Sequence, residues 1–196
     1  MKNMLKRLFD IVLAATGLLA TSWLIAICWL VAAIETGSNG FFVQPRVGRH
    51  GKLFNIIKIK TMRNLGSAER SSVSVKGMSE ITRSGAFFRK FKLDELPQLW
   101  NVLLGQMSFV GPRPDVEGFA DQLEGKDRLI LELRPGITGP ASLSFRNEEE
   151  LLATVDNPEE YNVAVIWPEK VRINLEYYYS HNLLKDLGYL FRTIWS

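Results

Sequence analysis

The sequence predicts a mixed α/β (α+β) fold: one small domain with an N-terminal membrane-inserted helix and further amphipathic helices suited to a membrane surface. Three observations lead there. Ile11 to Ile34 is a run of 24 residues without a charge. Phe41 to Gln44 and Leu53 to Thr61 have strand character and flank the turn Gly48-Arg49-His50-Gly51. Leu96, Leu99, Trp100, Leu103 and Leu104 recur at helical spacing. Residues 1–36 are therefore expected to anchor the chain, and residues 37–196 to form the domain. A chain of 196 residues with a formal net charge of +3 is long enough for a sizeable core and too weakly basic to point to nucleic acid. No zinc-ligand spacing is present, and Cys28, the single cysteine, lies inside the apolar run as a small hydrophobe.

As a helix the uncharged run would extend roughly 36 Å, against about 30 Å for a hydrocarbon core. It is longer than the apolar part of a signal peptide and lacks a small-residue cleavage site after it. It is also apolar on every face, which a buried helix of a soluble domain rarely is. Lys2, Lys6 and Arg7 lie upstream of it and Arg46, Arg49, Lys52, Lys58 and Lys60 downstream, so both flanks favour the cytoplasmic side. A helix that enters and returns through one leaflet satisfies both flanks, whereas a simple span leaves one unsatisfied.

In the strand Leu53 to Thr61, period-two alternation places Lys58 and Lys60 on one face. Alone they suit a solvated edge strand or a phosphate-facing pair. His50 in the preceding turn is expected to be exposed. The serine-rich stretch Gly66 to Ser79 reads as a loop, with a lid as the functional alternative. Ser84 to Phe91 reads as a short helix that buries phenylalanines and points Arg89 elsewhere.

Lys92-Leu93-Asp94-Glu95-Leu96-Pro97-Gln98 then sets two adjacent carboxylates directly behind Arg83, Arg89, Lys90 and Lys92. A helix is expected to start near Asp94, with Asp94 as its N-cap and Pro97 in the first turn, where a missing N–H costs little. Asp94 could be a plain cap. The second carboxylate, the basic run and the braced arginine of Gly111-Pro112-Arg113-Pro114 point instead to a carboxylate acting on a phosphorus centre whose charge is neutralised by cations. Asp115 to Leu133 reads as one or two helices broken near Gly125. Arg134-Pro135-Gly136 presents another arginine on a rigid turn. Glu148-Glu149-Glu150 reads as a solvated face. Val171 to Trp195 is expected to be helical, with Leu183, Leu187, Leu190 and Ile194 forming a stripe that suits a membrane surface and core packing equally. His181 shows no catalytic partner.

On these residues the chain resembles the monotopic phosphoglycosyl transferases, the bacterial sugar transferase family. The match runs from Lys6-Arg7-Leu8-Phe9-Asp10 through Gln44-Pro45-Arg46-Val47-Gly48, Lys58-Ile59-Lys60-Thr61-Met62, Leu93-Asp94-Glu95-Leu96-Pro97-Gln98 and Gly111-Pro112-Arg113-Pro114 to Arg134-Pro135-Gly136-Ile137-Thr138-Gly139. The resemblance implies a re-entrant helix. In the family Ser-Pro breaks that helix; here Ser22-Trp23 stands at the expected break, so the proline is missing and only softer bends through Gly17, Thr21 and Ser22 are on offer.

The resemblance further implies that Asp94 attacks a UDP-sugar, expels UMP and passes a sugar 1-phosphate to polyprenyl (undecaprenyl) phosphate. This would be the first membrane step of exopolysaccharide or other glycoconjugate assembly at the cytoplasmic face of the bacterial inner membrane. Lys58, Arg89, Arg113 and Arg134 would hold phosphate oxygens. Asp94 and Glu95 would share Mg²⁺, since magnesium is commonly held by one or two carboxylates plus water and substrate phosphates. The partners so expected are a UDP-sugar donor, a polyprenyl phosphate acceptor, membrane lipid and downstream glycosyltransferases, with a homodimer an open option. The rival readings are a non-catalytic polyprenyl-phosphate carrier and a membrane scaffold.

Overall fold

The structure is a computed structural model that describes residues 2–64 and 79–195, so the loop or lid expected from Gly66 lies outside the described residues up to position 78. It is a mixture of helices and small two-stranded sheets, as expected. The chain forms two compact units: residues 1–10, 47–53 and 105–196 make one, residues 11–46 and 54–104 the other.

Helix α1 (Lys2–Thr36) is 35 residues long and continues through Ser22 and Trp23 without interruption. It is long and apolar enough to cross a membrane. Around its middle, polar side chains are satisfied within the helix, as a low-dielectric setting requires. Thr21 Oγ1 donates to the Gly17 carbonyl at 2.7 Å, Ser22 Oγ to Leu19 at 3.2 Å and the Trp23 indole N–H to Ala20 at 2.9 Å. Along one side Leu8, Val12, Leu19, Trp23, Ile27, Leu30 and Ile34 are exposed.

In the unit of residues 11–46 and 54–104, the opposite side of α1 belongs to the core. Cys28 and Ala32 are buried with Ile59 and Phe88, under Leu24, Phe41 and Leu93. The chain doubles back after α1 so closely that a Cβ on Gly40 would fall 2.0 Å from the Trp29 carbonyl oxygen. Strand β1 (Phe41–Val47) then pairs with β2 (Leu53–Ile59). The connection turns through His50 and Gly51, both at positive φ. Strands β3 (Met62–Asn64) and β4 (Ser79–Ile81) pair antiparallel, Met62 opposite Ile81. Helices α2 (Arg83–Lys90) and α3 (Gln98–Leu103) complete this unit.

In the other unit, β5 (Ser108–Val110) and β6 (Gly136–Thr138) form a parallel pair. The expected helices over Asp115 to Leu133 are replaced by turns and two short 3₁₀ segments, Ala120–Gln122 and Asp127–Glu132. Gly118 and Gly125 explain the difference, because both take positive φ and break a helical path. Short helices α4 (Pro140–Ser144), α5 (Glu148–Leu152) and α6 (Pro158–Tyr161) lead into α7 (Trp167–Ser180) and α8 (Leu183–Trp195). The core joins Val47, Ala120, Ile130, Leu131 and Val171.

Helix α8 is inverted relative to an ordinary surface helix. Leu184, Leu187, Phe191, Ile194 and Trp195 are exposed, while Asp186 is buried. The Asp186 carboxylate accepts from Lys6 Nζ at 2.5 Å and from Tyr177 OH at 2.6 Å. Thr193 and Thr138 hydroxyls bond at 2.7 Å. Leu183 and Leu190 of the expected stripe are half-buried and Leu187 and Ile194 exposed, so the helix both packs on its unit and offers an apolar face.

Candidate active site

Asp94 sits in a 3₁₀ turn, Leu93–Glu95, and not at the cap of an α-helix. Lys92 takes a left-handed conformation, φ 55°, at the end of α2 and reverses the chain into that turn. Its N–H donates to Arg89 O and Glu95 N–H to Lys92 O, both at 3.2 Å. α-Helical bonding starts only at Gln98, with Pro97 as the N-cap. Pro97 supplies no N–H to the Leu93 carbonyl, the bond an α-helix through Asp94 would need, so Asp94 falls in the tighter turn ahead of α3.

Two anchors fix this turn over β2. Asn101 of α3, 1 % exposed, accepts from Ile57 N–H at 3.2 Å and donates to Asn55 O at 2.7 Å. It thus stands in for the missing neighbour of a short sheet's edge. The next residue, Lys58, then reaches Glu95 Oε1 at 2.8 Å. On the other side, α2 begins against Thr61: Thr82 N–H donates to Thr61 O at 3.1 Å, and a Cβ on Gly85 would lie 2.2 Å from that oxygen. Thr82 Oγ1 caps the helix by accepting from Gly85 N–H at 3.0 Å. The Glu35 carboxylate at the end of α1 takes both the N–H and the hydroxyl of Ser84. Two turns along α2, Arg89 Nε donates to Thr61 Oγ1 at 2.9 Å, which leaves its terminal N–H groups for an anion.

The resulting site is electrostatically coupled. Asp94 is 8 % exposed, and its Oδ1 has no hydrogen-bond partner among the described residues. Burial, and then the Glu95 carboxylate, raise its pKa above the ordinary aspartate range; Lys58 and Arg89 pull the other way without cancelling that rise. A buried, unpaired and unusually basic carboxylate beside two cations is suited to attack an anionic electrophile. The same unpaired oxygen suits a divalent cation. Asp94 and Glu95 are the residues that would hold it; among the described residues no three His, Cys, Asp or Glu converge.

Of the expected site residues, Asp94, Glu95, Lys58 and Arg89 come together in one unit. Arg113 and Arg134 both belong to the other unit, where their two motifs are interlocked. Gly136 N–H donates to Pro112 O at 2.7 Å and Gly111 N–H to Thr138 O at 2.9 Å. A Cβ on Gly111 would meet Arg134 O at 2.2 Å, and one on Gly139 would meet Gly111 O at the same distance. Arg113 lines a small pocket with Val47, Gly48, Pro112 and Pro135. Arg134 donates through Nε to Gly105 O at 2.9 Å. Thr61, Gly85 and Asn101 carry positioning roles that the sequence did not assign. A signal for Asn101 existed: an amide among Leu99, Trp100 and Val102 is costly unless it is bonded.

The chain is similar to known proteins over most of its length. The model of the family described as "Bacterial sugar transferase" matches residues 1–196. The uncharacterized sugar transferase EpsL of Bacillus subtilis (strain 168) is 35% identical over 192 residues, 97% of this chain and 85% of that protein. The exopolysaccharide production protein ExoY of Sinorhizobium fredii is 30% identical over 204 residues, 96% of this chain and 83% of that protein. The UDP-glucose:undecaprenyl-phosphate glucose-1-phosphate transferase of Escherichia coli K12 is 32% identical over 199 residues, 99% of this chain and 40% of that protein.

Proposed function

This chain belongs to the bacterial sugar transferase family, and on that premise we propose that it transfers a sugar 1-phosphate from a UDP-sugar to polyprenyl phosphate, with Asp94 as the covalent nucleophile. The observation that carries the proposal is the buried Asp94 carboxylate with its unpaired oxygen beside Glu95, Lys58 and Arg89.

In the first displacement an Asp94 oxygen bonds to the sugar-proximal phosphorus, the bond from that phosphorus to the bridging oxygen breaks, and UMP leaves. The chain then carries the phosphosugar as an acyl phosphate. In the second, an oxygen of the polyprenyl phosphate attacks the same phosphorus and Asp94 departs as a carboxylate, giving a polyprenyl diphosphate sugar. Lys58 neutralises Glu95, so that the two carboxylates do not jointly repel the donor. Arg89, steadied by Thr61, offers its terminal N–H groups to phosphate oxygens. Arg113 stands on a loop of the other unit fixed by two prolines and close glycine packing, and its role towards phosphate rests on the family resemblance. Mg²⁺ held by Asp94 and Glu95 would spread the charge of the leaving phosphate.

Membrane association follows from α1 and from the family. Insertion through a single leaflet from the cytoplasmic face is part of the proposal. On one side of α1, Ala14, Cys28 and Ala32 are buried, Leu99 lies against Gly17, and the exposed side is apolar. Contact of this kind with folded protein near Gly17 and from Cys28 to Ala32 is what supports shallow entry in this reading. Phe87, Phe91, Trp100 and Leu104 are exposed in the unit that holds Asp94, and the outer face of α8 is exposed in the other. These are surfaces a headgroup region would accept. Such placement would let one carboxylate reach a water-soluble donor and an interfacial acceptor.

The test is to incubate purified protein with a panel of UDP-sugars and Mg²⁺, assay UMP, and weigh the peptide bearing Asp94. A phosphosugar mass on that peptide, lost on addition of polyprenyl phosphate, is the expected result. Catalytic UMP release without any adduct in wild type, and undiminished in Asp94→Asn, would overturn the covalent route. Lipid binding with neither release nor adduct for every sugar would favour the carrier reading.

A further inference from the structure

Helix α2, which carries Arg89 to the Asp94 turn, is capped twice at its start. Thr82 Oγ1 accepts from Gly85 N–H at 3.0 Å, the ordinary local cap. The Glu35 carboxylate, from 49 positions before Ser84, accepts from Ser84 N–H at 3.3 Å and from the Ser84 hydroxyl. A helix with a threonine cap forms without a distant carboxylate, because water can serve its remaining N–H groups. Glu35 adds something a local cap does not: it joins α2 to the end of α1.

Cys28, Ala32 and Glu35 follow one another on α1 at i, i+4 and i+7, and so share a face. On α2 their partners are Ser84 and Phe88, one turn apart: Glu35 bonds Ser84, and Phe88 is buried with Cys28 and Ala32. α1 therefore holds α2 at two points, one polar and one apolar. Two points fix both the place of a helix along its axis and its rotation about that axis. The other side of α2 allows no slack, because a Cβ on Gly85 would lie 2.2 Å from Thr61 O. The Glu35 end of α1 is tied down in turn: Arg63 Nε donates to the Glu35 carbonyl at 3.1 Å, and Lys60 Nζ to Ser38 Oγ at 2.7 Å. Arg89 follows Phe88 directly and bonds Thr61 Oγ1 at 2.9 Å, so any turn of α2 moves its guanidinium.

We propose that Glu35 is a positioning residue for the transfer reaction, holding α2 through Ser84 so that the Arg89 fork reaches the donor phosphate. The inference rests on the transfer reading above and adds to it a residue outside the Asp94 turn. It makes the end of the apolar helix and the phosphate-holding arginine one mechanical piece. A displacement of about 1 Å in a group that positions substrate costs about 10²-fold in rate, and loss of one of two fixing points leaves α2 free to rotate about the other.

The experiment uses the full chain in detergent and reads two quantities: UMP release with UDP-glucose, UDP-galactose and their N-acetylated analogues as probes, and amide hydrogen exchange along α2 by mass spectrometry. Glu35→Ala is expected to lower kcat/KM by about tenfold or more, and Glu35→Gln, which keeps an acceptor for Ser84, to stay within about threefold of wild type. In an Arg89→Gln background Glu35→Ala should cost less than about twofold further, since its effect passes through that guanidinium. Exchange in Glu35→Ala should quicken as far as Phe88 to Lys92. Unchanged kcat/KM in Glu35→Ala, a loss that adds in full to that of Arg89→Gln, or exchange altered only at residues 84–86 overturns the proposal and leaves Glu35 a plain helix cap. Should Glu35→Ala fail to fold, Ser84→Ala removes the hydroxyl bond alone and gives the same decision from a loss of about threefold. Failure of the transfer reading would appear separately, as absence of UMP and of an Asp94 adduct in wild-type protein, and the exchange pattern would still decide whether Glu35 holds α2.

Discussion

Replacing Asp94 by Asn should make the protein more stable and nearly inactive. The substitution keeps shape and removes charge. Asp94 is 8 % exposed with Oδ1 unpaired and Glu95 raising its pKa, so the folded state bears the cost of a poorly solvated anion. An unsatisfied buried polar group costs about 1–3 kcal/mol. The amide retains an unpaired acceptor, which leaves roughly 1–2 kcal/mol to be regained, or about 2–8 °C in Tm for a chain of this size. The pH dependence has a definite sign. Because the folded-state pKa is raised above 3.8, Asp94 binds its proton more tightly in the folded state, and its penalty grows as pH rises from near 3.8 through the folded value. The stabilisation of Asp94→Asn should therefore be full at neutral pH and shrink on acidification towards pH 4. Thermal unfolding in detergent between pH 4 and 8 measures it. UMP release should fall by about 10⁴-fold or more, as when other nucleophiles are removed. A variant that melts lower than wild type at pH 7 while keeping its turnover would refute the reasoning.

A double-mutant cycle on Lys58→Gln and Glu95→Gln should give a coupling energy of about 1–2 kcal/mol, since the 2.8 Å pair is mostly but not fully buried; a value near zero in denaturation measurements would exclude a structural pairing. Asn101→Leu should destabilise by about 2–3 kcal/mol by leaving Asn55 O and Ile57 N–H unpaired, and should lower kcat through Glu95 and Lys58 with little change in donor KM. Gly111→Ala should prevent folding or cost more than about 3 kcal/mol, because its Cβ would stand 2.2 Å from the Arg134 carbonyl; expression and limited proteolysis report it. Removing divalent cations with chelator should abolish UMP release and be reversed by Mg²⁺, while leaving the Tm of donor-free protein within about 2 °C.

Much of the fold was legible where one periodicity dominated. The uncharged run became α1, Ser84 to Phe91 became α2 within a residue, and Leu53 onwards became β2. The sequence misled where single residues overrule a pattern. Gly118 and Gly125 at positive φ undo the apparent helices after Asp115, and Pro97 delays α3 so that Asp94 lies in a 3₁₀ turn. His181 and Asn182 split the last helix in two. Asp94 and Glu95 were readable because adjacent carboxylates within a basic segment are chemically unusual, whereas Lys58 entered through the family resemblance, its strand alone suiting a solvated edge as well. Thr61, Gly85 and Asn101 were not readable, since their roles depend on which strand faces which helix. Trp23 looked misplaced in an apolar segment, yet its N–H is bonded to Ala20 O one turn back, a local solution invisible to composition.

The burial of Cys28 and Ala32 under Ile59 and Phe88 bears on how this protein can be handled. Its hydrophobic leader is not a removable tether: cutting it away would strip the floor from the very sheet that carries Lys58. Shortened chains made to improve solubility should aggregate, and swapping in an unrelated apolar segment should fail unless small side chains recur where Ala14, Gly17, Cys28 and Ala32 stand.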